Sequence, residues 1–398
     1  MKPAFESLVL IDHPYASASL LDTIHRQGLP VVQTGPAMKQ GLRPGPHVVS
    51  ENDAVSLGRN ADRLRLYTNS ENALAWVDQH LGTTRAARAA SLFKDKVRFR
   101  RATEQLDPGF RFLELSLDQL LKTDPAVLPM PCVLKPAVGF FSLGVRRIEC
   151  PEQWVSAATE VLADLERARD LYPSVVLDGT RFIVEACLEG DEYAVDAYFD
   201  GDGRPVVVGI MKHLFAGPDD VSDRVYTTSP AVMRKMLPHA VSYLERLGGL
   251  IELSDTVMHV ELRVGDDGIA RAIEVNPLRF GGWCTTADLA VHAWGFDPLL
   301  AYLRDELPDW PKLMEERAGR AFSVVVLDNA TGIDGKDILA FDLVGAAAGF
   351  SKVLDVRPVD SRVHPLFGFL FIETPEDDDT ELLAILGDDL LAHVRGGS

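Results

Sequence analysis

The chain lacks most marks of a secreted, membrane or nucleic-acid-binding protein. Its 398 residues include four cysteines, Cys132, Cys150, Cys187 and Cys284, far apart and without a CxxC pair. That spacing argues against a disulfide framework or a structural zinc site and points to a reducing cytoplasm. No apolar run approaches the roughly 18 residues that cross a bilayer, so no membrane partner is expected. Residues 1–10 carry Lys2 and Glu6 and read as a first strand, not as a signal peptide. Basic residues are the minority, 40 against 59 acidic, for a net charge of -19. A nucleic-acid binder needs a basic footprint, so no nucleic-acid partner is expected; a local basic pocket for phosphate stays open. No GxGxxG follows the first strand, and nothing matches GxxxxGK[ST], which removes the dinucleotide fingerprint and the Walker loop.

What is there is an ordinary globular composition, 46% hydrophobic and 25% charged. At about 150 residues per domain the length allows two or three domains. Residues 7–12 and 30–33 read as strands around a helix at 17–27 that Gly28 stops, a β-α-β opening. Residues 35–46, rich in Gly and Pro, read as a loop. Residues 72–81 read as a helix, and 94–105 as a single basic helix. A short strand at 131–135 leads into the loop AVGFFSLGV. Residues 151–170 carry one apolar stripe, Trp154, Ala158, Val161, Leu162 and Leu165, and read as a helix. Two hairpins follow, 193–199 with 205–211 and 258–264 with 269–276. Residues 308–319 read as a linker to a tail with strands at 322–327 and 367–372 and a last helix near 382–394.

The second hairpin, HVELRVGDDGIARAIEVN, carries the most chemistry. Residues two apart on a strand share a face, so Glu261 lies with His259 and Arg263, and Glu274 with Asn276. A two-residue Asp267-Gly268 turn sets Glu261 opposite Glu274, and an Asp266-Asp267 turn makes them diagonal neighbours. A three-residue loop would flip one of them. Facing carboxylates repel unless a cation or proton sits between them. With Asn276 they form hard oxygen ligands suited to Mg²⁺ shared with ATP phosphates. Taken alone, the hairpin also fits a solvated face paired to Arg263 or Arg271. Upstream, Gly139, Ser142 and Gly144 lie in a loop that could bring backbone N–H groups to phosphate, with Lys135 at the strand end. Taken alone, that segment is better explained by a plain hairpin. Phe140 and Phe141 could cover a nucleotide or be core residues.

In order, FKDKVRFRR, PCVLKPAVGFFSLGV, FIVEACLEGDEYAVD and HVELRV…AIEVNPLRFGG resemble the motifs of the ATP-grasp superfamily of ATP-dependent carboxylate–amine ligases. The resemblance covers about residues 90–300. It implies an α/β and α+β chain: a Rossmann-like N-terminal domain, 1–88, a two-subdomain ATP-grasp fold, 89–310, and a small α+β C-terminal region, 320–398. It also implies ATP with Mg²⁺, Mn²⁺ being the alternative ion. By the same resemblance Lys96, rather than Lys94, and Lys135 contact phosphates, with Gly139, Ser142 and Gly144 in the phosphate loop. Glu185 and the backbone of Ala186 and Leu188 read adenine, Glu192 holds ribose, and Lys212 is a looser nucleotide contact. Glu261, Glu274 and Asn276 hold the metal.

One departure stands out. The family runs E-x-N-P-R, whereas here Leu278 intervenes and Arg279 comes one residue late. Arg279 is the candidate catalytic residue, reaching either ATP or the acid. The implied chemistry turns a small carboxylate, such as an amino acid or short peptide, into an acyl phosphate that an amine then attacks. A kinase on the same fold and a non-catalytic nucleotide binder are the rivals. His213, His259 and His292 are general-base candidates by type only. Cys284 reads as a small buried cysteine, with Trp283, Thr285 and Thr286 lining a substrate pocket. The tail could complete the ligase domain, cover the site or form the contact of a homodimer.

Overall fold

The computed structural model describes residues 6–139, 144–168, 178–217 and 222–396. The chain divides into two compact units. The first holds Met1–Gly190, Ala197–Val206 and Ser242–Cys284; the second holds Asp191–Asp196, Val207–Val241 and Thr285–Ser398.

The first unit opens on a four-stranded parallel sheet in the order Val48–Val49, Val31–Val32, Glu6–Leu10, Leu64–Thr68. The helix Ala18–Gln27 starts where the Ser17 hydroxyl accepts from the Leu20 amide (3.1 Å) and stops at Gly28, whose φ of 63° suits glycine. The stretch expected to be a loop contains a helix, Gly35–Lys39. The Thr34 side chain caps it and Pro36 sits in its first turn. Pro and Gly there mark a helix entrance, not a break. Leu8, Leu10, Leu66, Val77 and Ala87 form the core, and Leu278 joins them from far along the chain.

A second, antiparallel sheet runs Phe112–Ser116, Asp178–Ala186, Cys132–Val138, Arg146–Ile148. The helix Trp154–Ala168 lays Trp154, Ala158, Val161 and Leu165 on it, the stripe read from the sequence. The expected single basic helix is two, Arg85–Lys94 and Lys96–Ala102. The chain turns at Asp95 (φ -93°, ψ 104°), whose carboxylate caps the second helix through the Arg98 amide. The hairpin of Thr256–Val264 and Ala270–Pro277 completes what the site needs.

In the second unit the strand Pro205–Leu214, from Val207 onward, is followed across an antiparallel sheet by Val225–Thr228, Arg320–Asp328, Leu366–Pro375 and Val353–Pro358. Val225, Val325, Leu370 and Leu382 lie in its core. The expected linker contains the helix Trp310–Glu316, and buried Trp310 donates its indole N–H to the Val207 carbonyl (3.1 Å). The last helix, Thr380–Leu386, is shorter than expected. A 3-10 turn follows it, then a strand, Val394–Gly396, paired with Ile338–Phe341. Among the described residues no helix is long and apolar enough to cross a membrane.

Candidate functional site

The break at Asp95 decides where two lysines go. On an unbroken helix Lys94 and Lys96 would point about 200° apart. With the chain turned between them, both ammonium groups reach the Gly139 carbonyl, at 3.3 and 3.2 Å. Lys96 also pairs with Glu274 (3.2 Å), and Lys94 with Glu71. Burial alone would lower the Lys96 pKa, but Glu274 and Glu71 outweigh it and raise it. For Lys94 burial wins over Glu71 and the pKa falls. Gly139 closes the described part of the phosphate-loop segment on one side. Gly144 resumes it with φ 69°, a conformation open to glycine. Ser142, Phe140 and Phe141 lie outside the described residues.

Lys135, buried on the strand Cys132–Val138, pairs with Glu185 (2.7 Å) on the neighbouring strand. Glu185 is also gripped by Arg100 (2.6 Å). Burial would raise the Glu185 carboxyl, yet Arg100 and Lys135 hold it at about 2. Beyond it, the Ala186 amide donates to the Arg111 carbonyl (2.9 Å), and the Leu188 carbonyl accepts from Arg263 (3.2 Å). Gly190 ends this segment against the hairpin. A Cβ there would stand 1.9 Å from the Val264 carbonyl oxygen, so only glycine fits.

The acidic hairpin sets Glu261 directly opposite Glu274, by a different route from either turn considered above. The ladder leaves a five-residue loop between Val264 and Ala270. Continued regularly, it would set Ile273 opposite Glu261 and send Glu274 to the other face. A bulge between Glu261 and Leu262 on one strand takes up Ile273 and brings Glu274 into place. Bulges leave carbonyls without ladder partners, and Arg100 donates to those of Ala272 (2.7 Å) and Ile273 (3.2 Å). One guanidinium thus secures both Glu185 and the bulge. Asn276 donates its amide N–H to Glu274 (3.1 Å). Against burial, Lys96 and Lys135 hold the Glu274 carboxyl at about 2, so it is ionised at neutral pH. Among the described residues no three His, Cys, Asp or Glu side chains converge as a metal cluster. Two carboxylates and an amide oxygen suit an ion such as Mg²⁺, which takes its remaining ligands from water and phosphate.

Leu278 redirects the arginine. Its φ is 61°, its side chain is fully buried in the first core, and its carbonyl accepts from the Thr68 amide (2.6 Å). Arg279 then turns to Glu71 (2.7 Å) and the Phe280 carbonyl (2.8 Å). Trp283 and Cys284 both have positive φ, 57° and 58°, and the Trp283 ring stands 5.8 Å from that of Tyr15. Two consecutive strained non-glycine residues cost about 1–3 kcal/mol each, and such strain collects near functional sites. Cys284 is buried.

Glu192 and Lys212 belong to the second unit. There Glu192 pairs with buried His213 (3.1 Å), which also meets the Ser222 carbonyl (2.8 Å) and stacks on Tyr226. Lys212 pairs with Asp191 (3.4 Å).

Three participants escape the sequence reading. Lys94 is set aside there in favour of Lys96, which fits the family's motif position better. Arg100 lies four residues past Lys96 on one helix face, a signal that was available. Glu71 follows the strand Leu64–Thr68 at the carboxyl edge of the parallel sheet, where open α/β sheets present functional groups.

The ATP-grasp domain model matches residues 128–287, the span from the Lys135 strand through the hairpin. Residues 128–287 form an ATP-grasp domain. The ATP-grasp resemblance drawn from the motifs thus holds over residues 128–287, which contain three of the four. The chain superposes on the crystal structure of L-amino acid ligase from Bacillus licheniformis with a TM-score of 0.69 and 18% identity, covering 99% of each chain. Biotin carboxylase from Campylobacter jejuni gives 0.61 at 13% identity, covering 99% of this chain and 92% of that one. N5-carboxyaminoimidazole synthase from Aspergillus clavatus, solved with ADP, gives 0.63 at 13%, covering 98% of each. These likenesses are of fold. No curated protein sequence matches the chain.

Proposed function

We propose that this ATP-grasp chain is an ATP-dependent carboxylate–amine ligase. It activates a small acid, an amino acid or short peptide, as an acyl phosphate and joins it to an amine, releasing ADP and phosphate. The observation that carries this reading is the convergence of Lys96, Lys135, Glu274, Glu261 and Asn276 within one unit. The L-amino acid ligase likeness supports amino acids as substrates.

In this reading Lys96 and Lys135 bind phosphate oxygens, leaving their internal carboxylate partners as ATP enters. Glu185, Ala186 and Leu188 border the base; the ribose role of Glu192 and the nucleotide role of Lys212 rest on the motif resemblance alone. Glu261, Glu274 and Asn276 hold Mg²⁺, which when bound neutralises phosphate charge. Arg279 steadies the charge that develops on the reacting oxygens. Water must be kept from the acyl phosphate, or hydrolysis competes with the amine.

The test is a screen of paired acids and amines with MgATP, reading nucleotides by chromatography and products by mass. ADP formation that needs both partners, with a condensed product, is expected. AMP and pyrophosphate would refute acyl-phosphate chemistry. ADP with a phosphorylated acceptor and no amine requirement would indicate a kinase.

A further inference from the structure

Glu71 is buried, and both of its carboxylate oxygens are engaged, one by Lys94 and one by Arg279 (2.7 Å). Its backbone is pinned just as firmly. The Ser70 hydroxyl and the Asn72 amide both donate to the His13 carbonyl, at 2.5 and 2.8 Å. The Asn69 amide donates to the carbonyls of Asp12 (2.8 Å) and Tyr15 (2.7 Å), and the Thr68 hydroxyl to that of Ser70 (3.0 Å). These bonds join the loops that leave two adjacent parallel strands, Glu6–Leu10 and Leu64–Thr68. Glu71 is therefore a fixed anion on a rigid edge.

Arg279 is held through both terminal nitrogens of its guanidinium, by Glu71 and the Phe280 carbonyl, and is 8% exposed. Its Nε has no hydrogen-bond partner among the described residues. A buried N–H left without an acceptor costs about 1–3 kcal/mol, so a donor held this way is poised for one. A guanidinium offers its donors in a planar fork, and fixing two of them fixes the direction of the third.

We infer that Glu71 is a positioning residue: it clamps the Arg279 guanidinium so that the free Nε–H meets an oxyanion, carboxylate or phosphoryl, of the reacting substrate. This rests on the ligase reading for the identity of that anion. Lys94, by the same geometry, serves the clamp as well as the Gly139 carbonyl. Glu71 touches no reactant and acts only through Arg279.

The test uses the full chain with ¹⁵N-labelled arginine, the Arg279 Nε–H signal being assigned by its loss in Arg279→Lys. Inorganic phosphate is the anion probe. In the wild type, phosphate should shift that signal. In Glu71→Gln the shift should vanish, while MgADP affinity stays within about twofold and the melting temperature confirms folding. No shift in the wild type overturns the inference. So does an undiminished shift in Glu71→Gln, which would make Glu71 merely structural. A larger shift there also overturns it, because Glu71 would then be competing with the anion. In the ADP-release assay Glu71→Gln should lower kcat about 100-fold with the ATP KM unchanged, as for a misaligned catalytic group. Combined with Arg279→Lys it should add little; independent, multiplying losses contradict action through Arg279. A wild type that releases no ADP would sink the ligase reading, while the phosphate titration still decides the role of Glu71.

Discussion

Glu274 meets three demands with one side chain. It faces Glu261 across the hairpin, accepts from Asn276 and pairs with Lys96. Glu274→Gln keeps its shape and removes its charge. Turnover should fall at least about 100-fold, the loss of roughly 3 kcal/mol of transition-state stabilisation. The fold should survive, as read by circular dichroism and melting; full activity at saturating Mg²⁺ would make the hairpin structural only. The facing of the two glutamates is expected from the sequence, but through a two-residue turn; the chain reaches it instead with a five-residue loop and a bulge at Ile273. The Glu71–Arg279 bond is not legible there, because it joins residues about two hundred positions apart and depends on the turn Leu278 imposes.

At the scale of elements, a one-residue irregularity positions the site twice. Asp95 interrupts a basic stretch that periodicity alone reads as one helix, and Ile273 interrupts a ladder that a regular hairpin would misregister. Local propensity cannot reveal either, since an Asp within a helix and an extra strand residue are both tolerated. Their partners lie elsewhere: Arg181 holds the Asp95 carboxylate (2.7 Å), and Arg100 holds the bulge. Asp95→Ala removes the cap and should cost about 1 kcal/mol or more in chemical denaturation. It should also weaken ATP binding, because a continuous helix would carry one lysine away from Gly139. Asp95→Asn retains the cap and should lose much less of both. Equal ATP dissociation constants for wild type and Asp95→Ala would show that the break is irrelevant to nucleotide binding.

For the molecule as a whole, three carboxylates, Glu71 and Glu185 buried and Glu274 partly buried, set the response to acid. Glu71, Glu185 and Glu274 are each lowered from 4.5 to about 2, their cationic partners overcoming the opposing effect of burial. A carboxyl group lowered this far contributes about 3 kcal/mol when ionised in the fold. The folded pKa lies below the unfolded one, so this stability is fully present above about pH 4.5 and is lost as pH falls through about 2. Urea denaturation should therefore give flat stability from pH 5 to 7 and a steep decline below. A flat profile down to pH 3 would show that the pairs are not formed. The α/β opening and the antiparallel tail strands are legible as runs of apolar residues. The helix at Gly35–Lys39 is not, because its Thr cap and Pro resemble loop chemistry.

Leu278 carries a consequence for how the chain is made. The core that begins with Leu8 and Leu10 is completed by a side chain some 270 residues later, and the Thr68 amide waits for the carbonyl of that same residue. During synthesis, the first hundred residues leave the ribosome well before that leucine exists. At about 5–20 residues per second the gap lasts on the order of ten seconds or more. The nascent N-terminal sheet must spend that interval with an open socket in its core, a natural place for a chaperone to hold it. A fragment of residues 1–100 should bind the dye ANS and show little protection of the Thr68 amide from hydrogen exchange. The full chain should do neither, and Leu278→Ala should lie between them, destabilised by about 2–5 kcal/mol.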